Sequence, residues 1–379
     1  MTPIRGDTAR STQVGRAPLS RSEPDRGDQP DGRGADGTAS PSILHALSWL
    51  RRPIMIGAAL FYVAALLWPY DWAPPKRVAN GATRLADGGI EFARPGIARA
   101  EGPPVWLEEA IRSNRLELSL SLRSAFPDQT GPARILTISP DPHRRDLMLG
   151  QEGSDLVLRL RTSGTSSNGT IKGRPVALVA NVFKGPDWVH IGVLIKPGEL
   201  QIAVGDEIRV RETLSQAPLQ DWDTSYPLAL GNELSGNRPW LGSIRKAIVR
   251  TGDTTIDYTV PGALERPAAY WFVSNYPKLA PFRDSSRFDL IVNALLYVPL
   301  GVLFGFCWRG RGLRSAASAT LLIAALSGSL EVLQLFISIR NPSLDDFVLN
   351  VLGGALGVLL GRWAVRARNG PPVVAQGSD

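Results

Sequence analysis

Three apolar runs near the C-terminus are almost free of charge. Phe288 to Trp308 carries one charged residue, Asp289, at its start. Ser315 to Ile339 carries only Glu331, and Phe347 to Gly361 carries none, with Asp345 and Asp346 just before it. A fourth run, Pro53 to Tyr70, is uncharged over its whole length. At ~1.5 Å per helical residue, 18 residues reach ~27 Å, close to the depth of a bilayer's hydrocarbon core. The pattern predicts transmembrane helices at 53–70, 288–308, 315–339 and 344–363. Arg51 and Arg52 stand before the first run, and Trp68, Tyr70 and Trp72 stand at its far end like an interfacial belt. No small-residue cleavage site follows it, so an uncleaved anchor fits better than a signal peptide.

Between the first and second runs the period changes from helical to two. Leu116 to Leu122 alternates strictly, as does Asp155 to Arg161; Trp188 to Ile195 and Glu199 to Val204 are split by Lys196-Pro197-Gly198, a hairpin signal. Many short alternating strands with no helices between them predict an all-β antiparallel jelly-roll sandwich over 78–266. The expected fold is therefore a four-helix transmembrane bundle plus that sandwich. Residues 1–50 and 364–379 read as tails, since the first 40 residues contain no aromatic side chain and cannot bury enough surface to order.

Composition removes several function classes. Net charge is +7, from 42 Lys and Arg against 35 Asp and Glu, and the basic residues are scattered, which gives nucleic-acid binding no footing. Cys307 is the only cysteine, and the three histidines show no metal-ligand spacing, so zinc, haem and iron–sulfur chemistry lack ligands.

Short-loop cations orient the chain. Arg51 and Arg52, then Arg309, Arg311 and Arg314, then Arg362, Arg366 and Arg368 flank three ends, whereas the loop after the third run holds only Arg340. With Lys and Arg collecting on the cytoplasmic side, both termini are cytoplasmic and residues 71–287 lie outside the cytoplasm, at the inner (plasma) membrane. In that orientation Asp289 with Asn293, Glu331 with Gln334, and Asp346 with Asn350 sit three or four residues apart near the outer ends of three helices. Each stripe continues inward as small residues, Gly301 and Gly305 on one helix and Gly353, Gly357 and Gly361 on another, so the polar groups should face the bundle interior. Ionisable groups inside a membrane mark function or interhelical packing. The candidate binding set is Asp289, Asn293, Glu331, Gln334, Arg340, Asp345, Asp346 and Asn350, with Arg340 expected to pair with Glu331, Asp345 or Asp346. Glu331 and Asp346 are the candidate acid/base groups should a reaction be catalysed.

The ordered set Asp289-x3-Asn293, Pro299-Leu300-Gly301, Glu331-x2-Gln334, Arg340-x2-Ser343 and Asp346-x3-Asn350-x2-Gly353 resembles the VanZ-like membrane domain, over about 285–365. The resemblance implies a small four-helix protein of the bacterial envelope, in a family whose founding member is associated with teicoplanin resistance. No reaction is established for that family, and the large β domain between the first two helices departs from its usual short loop. Trp188 to Val204, Leu228 to Asn232 and Trp240 to Ile244 are similar to strands of concanavalin A-like or laminin-G-like sandwiches, which implies a glycan or protein ligand, some members using calcium. Trp222 and Trp240 are the candidate sugar-stacking residues, and Asp221, Asp223, Asn232 and Glu233 the candidate calcium ligands; no other cofactor is expected. A retaining glycosidase needs two carboxylates ~5–5.5 Å apart, and no ExDxxE strand occurs. The expected function is a binding or accessory module, its sandwich recognising an envelope glycan or protein and its bundle handling a lipid-linked partner, with glycopeptide resistance or polysaccharide export as settings. A headgroup-directed enzyme and a structural scaffold are the alternatives.

Overall fold

The computed structural model describes residues 48–86, 88–278, 287–308, 310, 312–338, 340 and 342–368. Segments 1–47 and 369–379, read above as tails, lie outside them.

Two antiparallel sheets share one core. The six-stranded sheet runs in the order Ala177–Val179, Asp155–Leu160, Leu147–Gly153, Gln129–Ile138, Leu228–Leu230, Ala98–Arg99. The main path of the eight-stranded sheet is Glu207–Thr213, Glu199–Val204, Val189–Lys196, Leu116–Ser124, Gly242–Thr251, Ile90–Phe92, Ala82–Arg84, and Thr254–Asp257 pairs with Gly242–Thr251 off that path. Side chains alternate across a strand, so Leu116, Leu118, Leu120 and Leu122 all enter the core and meet Ile135, Leu149, Leu158 and Leu160 of the other sheet. The hairpin forms where its turn residues require: Lys196 pairs with Glu199, Pro197 takes the first corner, and Gly198 takes the second at φ +80.

The sandwich also contains a helix that alternation did not foretell. Leu107–Ser113 buries Leu107 and Ala110 against the core and ends at Asn114, whose φ of 50 is left-handed. Seven residues are too few to display a helical period in the sequence. Strand Lys76–Ala79 pairs with Ala269–Phe272, so the two ends of the β region are tied side by side.

We number the membrane-region helices in chain order with the short one: α1 Arg51–Leu67, α2 Leu107–Ser113, α3 Arg287–Leu296, α4 Val298–Cys307, α5 Leu313–Gln334 and α6 Leu344–Arg368. Among the described residues, three stretches, Leu290–Cys307, Leu313–Gln334 and Leu344–Ala367, are long and apolar enough to cross a membrane. α1 packs on the buried cluster of Tyr297, Phe304, Ala319 and Ile323 through Met55, Ala58, Tyr62 and Leu66. The run 288–308, expected as one helix, is broken at Tyr297 into α3 and α4. Pro299 has no N–H to give the preceding turn, and its ring crowds the carbonyl four residues back. α5 stops at Gln334 rather than continuing to 339. Leu60, Phe61, Leu295, Leu321, Leu356 and Trp363 stay exposed, an apolar outer surface suited to lipid.

Glycine brings α4 and α6 together. A Cβ at Gly301 would strike Gly354 and Gly357, one at Gly305 would strike Val358 and Gly361, and one at Gly353 would strike the Ala294 carbonyl of α3. Backbones approach this closely only where side chains are absent.

The sandwich is seated on the α5–α6 loop. Leaving α1, Asp71 accepts from Ser338 N–H at 3.0 Å and Ala73 donates to Phe336 O at 2.6 Å, while Trp72 stacks on Phe336 with ring centres 5.2 Å apart. Leaving the sandwich, Asn275 Nδ2 donates to the carbonyls of Gln334 and Ile337, and Lys278 exchanges backbone hydrogen bonds with Pro342 and Leu344 at 2.9 and 3.1 Å. Both connecting segments are thus bonded to the same loop, which places the β domain at the end of the helices where Arg340 and Ser343 lie.

Candidate functional site

Ser343 caps α6: its Oγ accepts from Asp345 N–H at 3.1 Å, leaving Asp345 and Asp346 in the first turn, where the helix dipole favours negative charge. The Ser343 N–H donates to Glu331 Oε2 at 2.9 Å, which ties that cap to α5. Asn293 on α3 donates from Nδ2 to Asp346 Oδ1. Asn350, one turn further along α6, donates to Ser327 Oγ at 3.1 Å. The spacing i, i+4 keeps Asp346 and Asn350 on one face, and the glycine contacts below them bring that face against α3 and α4.

The result is a cavity of about 200 Å³ at the sandwich end of the helices. Asn293, Glu331, Gln334, Arg340, Asp346 and Asn350 line it, with Tyr297 and the apolar Leu66, Leu296 and Leu330. Six of the eight sequence-derived candidates therefore meet in one place. Asp345 is not in the lining; it is 1% exposed and its carboxylate lies 3.6 Å from Lys278 Nζ, a partner in the linker that no periodic pattern points to. The side chain of Asp289 lies outside the described residues.

Arg340 departs from expectation. Its Nε and Nη2 donate to Trp68 O at 3.3 and 2.8 Å, and no ion pair of Arg340 occurs among the described residues. Trp68 is forced out of the helical region (ψ 136) ahead of Pro69, so its carbonyl has no helical donor and the guanidinium supplies one. Gln334 does similar work, donating to Leu66 O at 3.2 Å. Tyr297, four residues after Asn293, is a lining residue that the candidate set omitted, because a tyrosine among apolar residues carries no charge to single it out. Its buried Oη and the Oδ1 of Asn350 have no hydrogen-bond partner among the described residues.

In chemical terms the cavity is rich in acceptors. Two carboxylates and the Asn350 carbonyl oxygen face it, while the side-chain N–H groups of Asn293, Gln334 and Arg340 named above are spent on Asp346 and backbone carbonyls. Such a lining suits a group that donates hydrogen bonds, an ammonium or a set of hydroxyls, better than an anion.

The sandwich candidates fare differently. Trp240 is fully buried with its Nε1 donating to Gln151 Oε1 at 2.9 Å, and Trp222 is 5% exposed with its Nε1 donating to Arg161 O at 3.0 Å. Both rings are core, with no face left for a sugar. Asn232 and Glu233 are not in a solvated rim but fully buried: Asn232 spends its amide on Gly236 O, Glu233 N and Arg238 N, and Glu233 lies 3.5 Å from Arg134. Asp223 accepts from Ser225, and no group of three or more His, Cys, Asp or Glu side chains that could hold a metal ion occurs among the described residues.

Next to Asp223 lies Asp146, fully buried. Burial pushes its carboxyl up to about 7, against the pull of the Asp223 N–H at 2.9 Å and Arg161 at 3.4 Å. A carboxyl whose folded value exceeds its unfolded one contributes stability at low pH and loses it as pH rises through the folded value. The thermal midpoint of the full chain should therefore fall between pH 5 and pH 8 by more than that of Asp146→Asn. Equal slopes in the two proteins would remove this assignment.

Compared with known proteins, no curated protein matches the chain. Among solved structures, the carbohydrate-binding domain of Ruminococcus gnavus IT-sialidase bound to alpha2,3 sialyllactose aligns at 12% identity and TM-score 0.31, covering 43% of this chain and 88% of that one. Domain 4 of an extracellular arabinanase from Geobacillus stearothermophilus, in complex with arabinotriose, aligns at 13% identity and TM-score 0.30, covering 48% and 84%. The mouse laminin alpha1 chain, domains LG4-5, aligns at 14% identity and TM-score 0.28, covering 52% and 46%. The VanZ/LLP1 family model matches residues 258–365, beginning ahead of the linker that carries Asn275 and Lys278 and ending within α6. Residues 258–365 are thus similar to the VanZ/LLP1 family, and most of the cavity lining falls within them, with Leu66 added from α1.

Proposed function

We propose that this is a four-span accessory module of the bacterial inner membrane, with cytoplasmic termini, whose bundle holds the polar headgroup of a lipid-linked partner in the acceptor-lined cavity. α1 serves as the fourth span and closes the cavity with Leu66. The sandwich, standing outside the cytoplasm on the α5–α6 loop, engages an envelope glycan or protein attached to the same partner. The observation that carries the reading is the cavity: two carboxylates and an unpartnered amide oxygen face one space near the end of apolar helices. Burying acids there is costly, and hydroxyls or an ammonium from a headgroup would offset that cost.

Native mass spectrometry of the full chain released from bacterial membranes tests this. A lipid with a hydroxyl- or amine-bearing headgroup should accompany the wild type, and its occupancy should fall about tenfold in Glu331→Gln/Asp346→Asn, the loss expected of one or two charge-assisted hydrogen bonds. Equal occupancy in the double variant would contradict the reading. The same pair of carboxylates also favours a second reading, acid/base chemistry on that headgroup by Glu331 or Asp346; it requires turnover of a lipid-linked substrate that either single variant abolishes.

A further inference from the structure

Among the described residues, five buried side-chain atoms of the sandwich have no hydrogen-bond partner, and all five fall in one neighbourhood: Thr137 Oγ1, Ser139 Oγ, Arg145 Nε and Nη1, and Arg159 Nε. Thr137, Met148 and Arg159 are direct cross-strand neighbours on three adjacent strands. They share the face of the six-stranded sheet opposite the core, since Ile138, Leu147 and Leu160 beside them point inward. Loops 141–145 and 232–238 supply the other groups there. Arg145 is 1% exposed and Arg134 is 3% exposed, and Arg134, Glu233 and Arg159 are the groups acting most strongly on the Arg145 charge.

The charges do not balance. Three arginines, Arg134, Arg145 and Arg159, gather there, with exposed Arg238 at the edge. The one fully buried carboxylate among them is Glu233, 3.5 Å from Arg134. Asp141 is already held by Arg144 at 2.7 Å, and Glu152 is exposed. Burial holds the Arg145 guanidinium well below its ordinary range, with Arg134 adding to the effect. An uncompensated buried charge costs several kcal/mol. Water would satisfy the orphaned hydrogen-bonding groups but leave the surplus charge; an anion answers both. The orphaned atoms are N–H and O–H groups, which can all donate, and guanidinium forks beside hydroxyls suit a tetrahedral oxyanion.

We propose that the outer face of the six-stranded sheet is a binding site for a phosphoryl-class oxyanion, held by Arg145, Arg159, Thr137 and Ser139 and entered from the edge at Arg159 and Arg238. The site is separate from the membrane cavity and does not rest on it. It abuts the sandwich's seat: His143 shares a 2.7 Å hydrogen bond with Tyr276 O, and Asn237 donates to Ser274 O at 3.0 Å, in the linker that Asn275 fastens to the α5–α6 loop. The oxyanion is either free phosphate or the phosphate of a lipid headgroup.

The experiment titrates inorganic phosphate into the full chain in neutral-lipid nanodiscs, against sodium chloride at matched ionic strength, and reads calorimetric binding and the thermal midpoint. Saturable binding and a raised midpoint are expected for the wild type. Arg159→Gln, at the half-exposed edge, should weaken binding about tenfold, as loss of one charge-assisted contact does. Arg145→Met, which removes the buried charge at similar volume, should be at least as stable as wild type without phosphate and insensitive to it. Should Arg145→Met fail to fold, Arg159→Gln still decides. Repeating the titration with phosphatidylglycerol in the nanodisc separates the sources: competition assigns the headgroup, and no competition assigns the free ion. A phosphate response no larger than that to chloride, or an undiminished response in Arg159→Gln, overturns the proposal.

Discussion

Trp240→Ala will destabilise the sandwich by about 3–5 kcal/mol, the cost of removing a large aromatic side chain from a packed core. The ring is fully buried, meets Phe92 edge-on with centres 6.4 Å apart, and gives its N–H to Gln151 Oε1. Gln151 is the hub of a buried polar network with Ser124 Oγ, Gln129 and the Phe126 and Gly153 carbonyls, so loss of the indole disturbs more than an apolar void. A cavity left there cannot collapse easily, because Gly242 already packs its backbone against the ring. Denaturant unfolding of the full chain checks the magnitude. A loss below about 0.5 kcal/mol, as for a surface residue, would mean that the ring is a surface platform after all.

Gly357→Leu will separate α4 from α6. Even a Cβ at this position meets the Val298 carbonyl, the Val302 nitrogen and the Gly301 Cα, all backbone atoms that no rotamer change can move aside. Overpacking costs about 1–3 kcal/mol where side chains can give way, and more where they cannot. The consequence reaches the cavity, because Asn293 and Asp346 lie on the helices that the glycine contacts hold together. Unfolding in mixed micelles should show the loss, while Leu360→Ala, on the lipid-facing side, should stay within about 0.5 kcal/mol of wild type. Equal effects from the two would show that the glycine seam is not what joins these helices.

The parts legible in the sequence are those governed by a period. Leu116 to Leu122 announced its inward face, Pro197-Gly198 its turn, and Asn293, Glu331 and Asn350 their places near the ends of three helices, from which they line one cavity, because rise per residue and side-chain alternation are fixed by backbone geometry. What stayed hidden depends on segments without a period. The partner of Arg340 was misread because a loop, not a helix face, aims it at Trp68 O. Lys278 found Asp345 through a linker. Trp222 and Trp240 lie in irregular stretches where no alternation tells inside from outside. Arg134 and Arg159 sat on the polar side of alternating strands, which reads as solvent; loops 141–145 and 232–238 cover that face instead.

The account turns on the polar cavity opening on the side of the membrane where the sandwich stands, away from the cytoplasm. Cys307 is the only native cysteine, so a Cys307→Ser background lets single reporters be placed at will. Labelling of intact cells with a membrane-impermeant maleimide should modify Glu207→Cys in the sandwich and Arg340→Cys beside the cavity, and leave Arg314→Cys unmodified until the membrane is opened. Labelling of Arg314→Cys in intact cells, with Arg340→Cys protected, would contradict it.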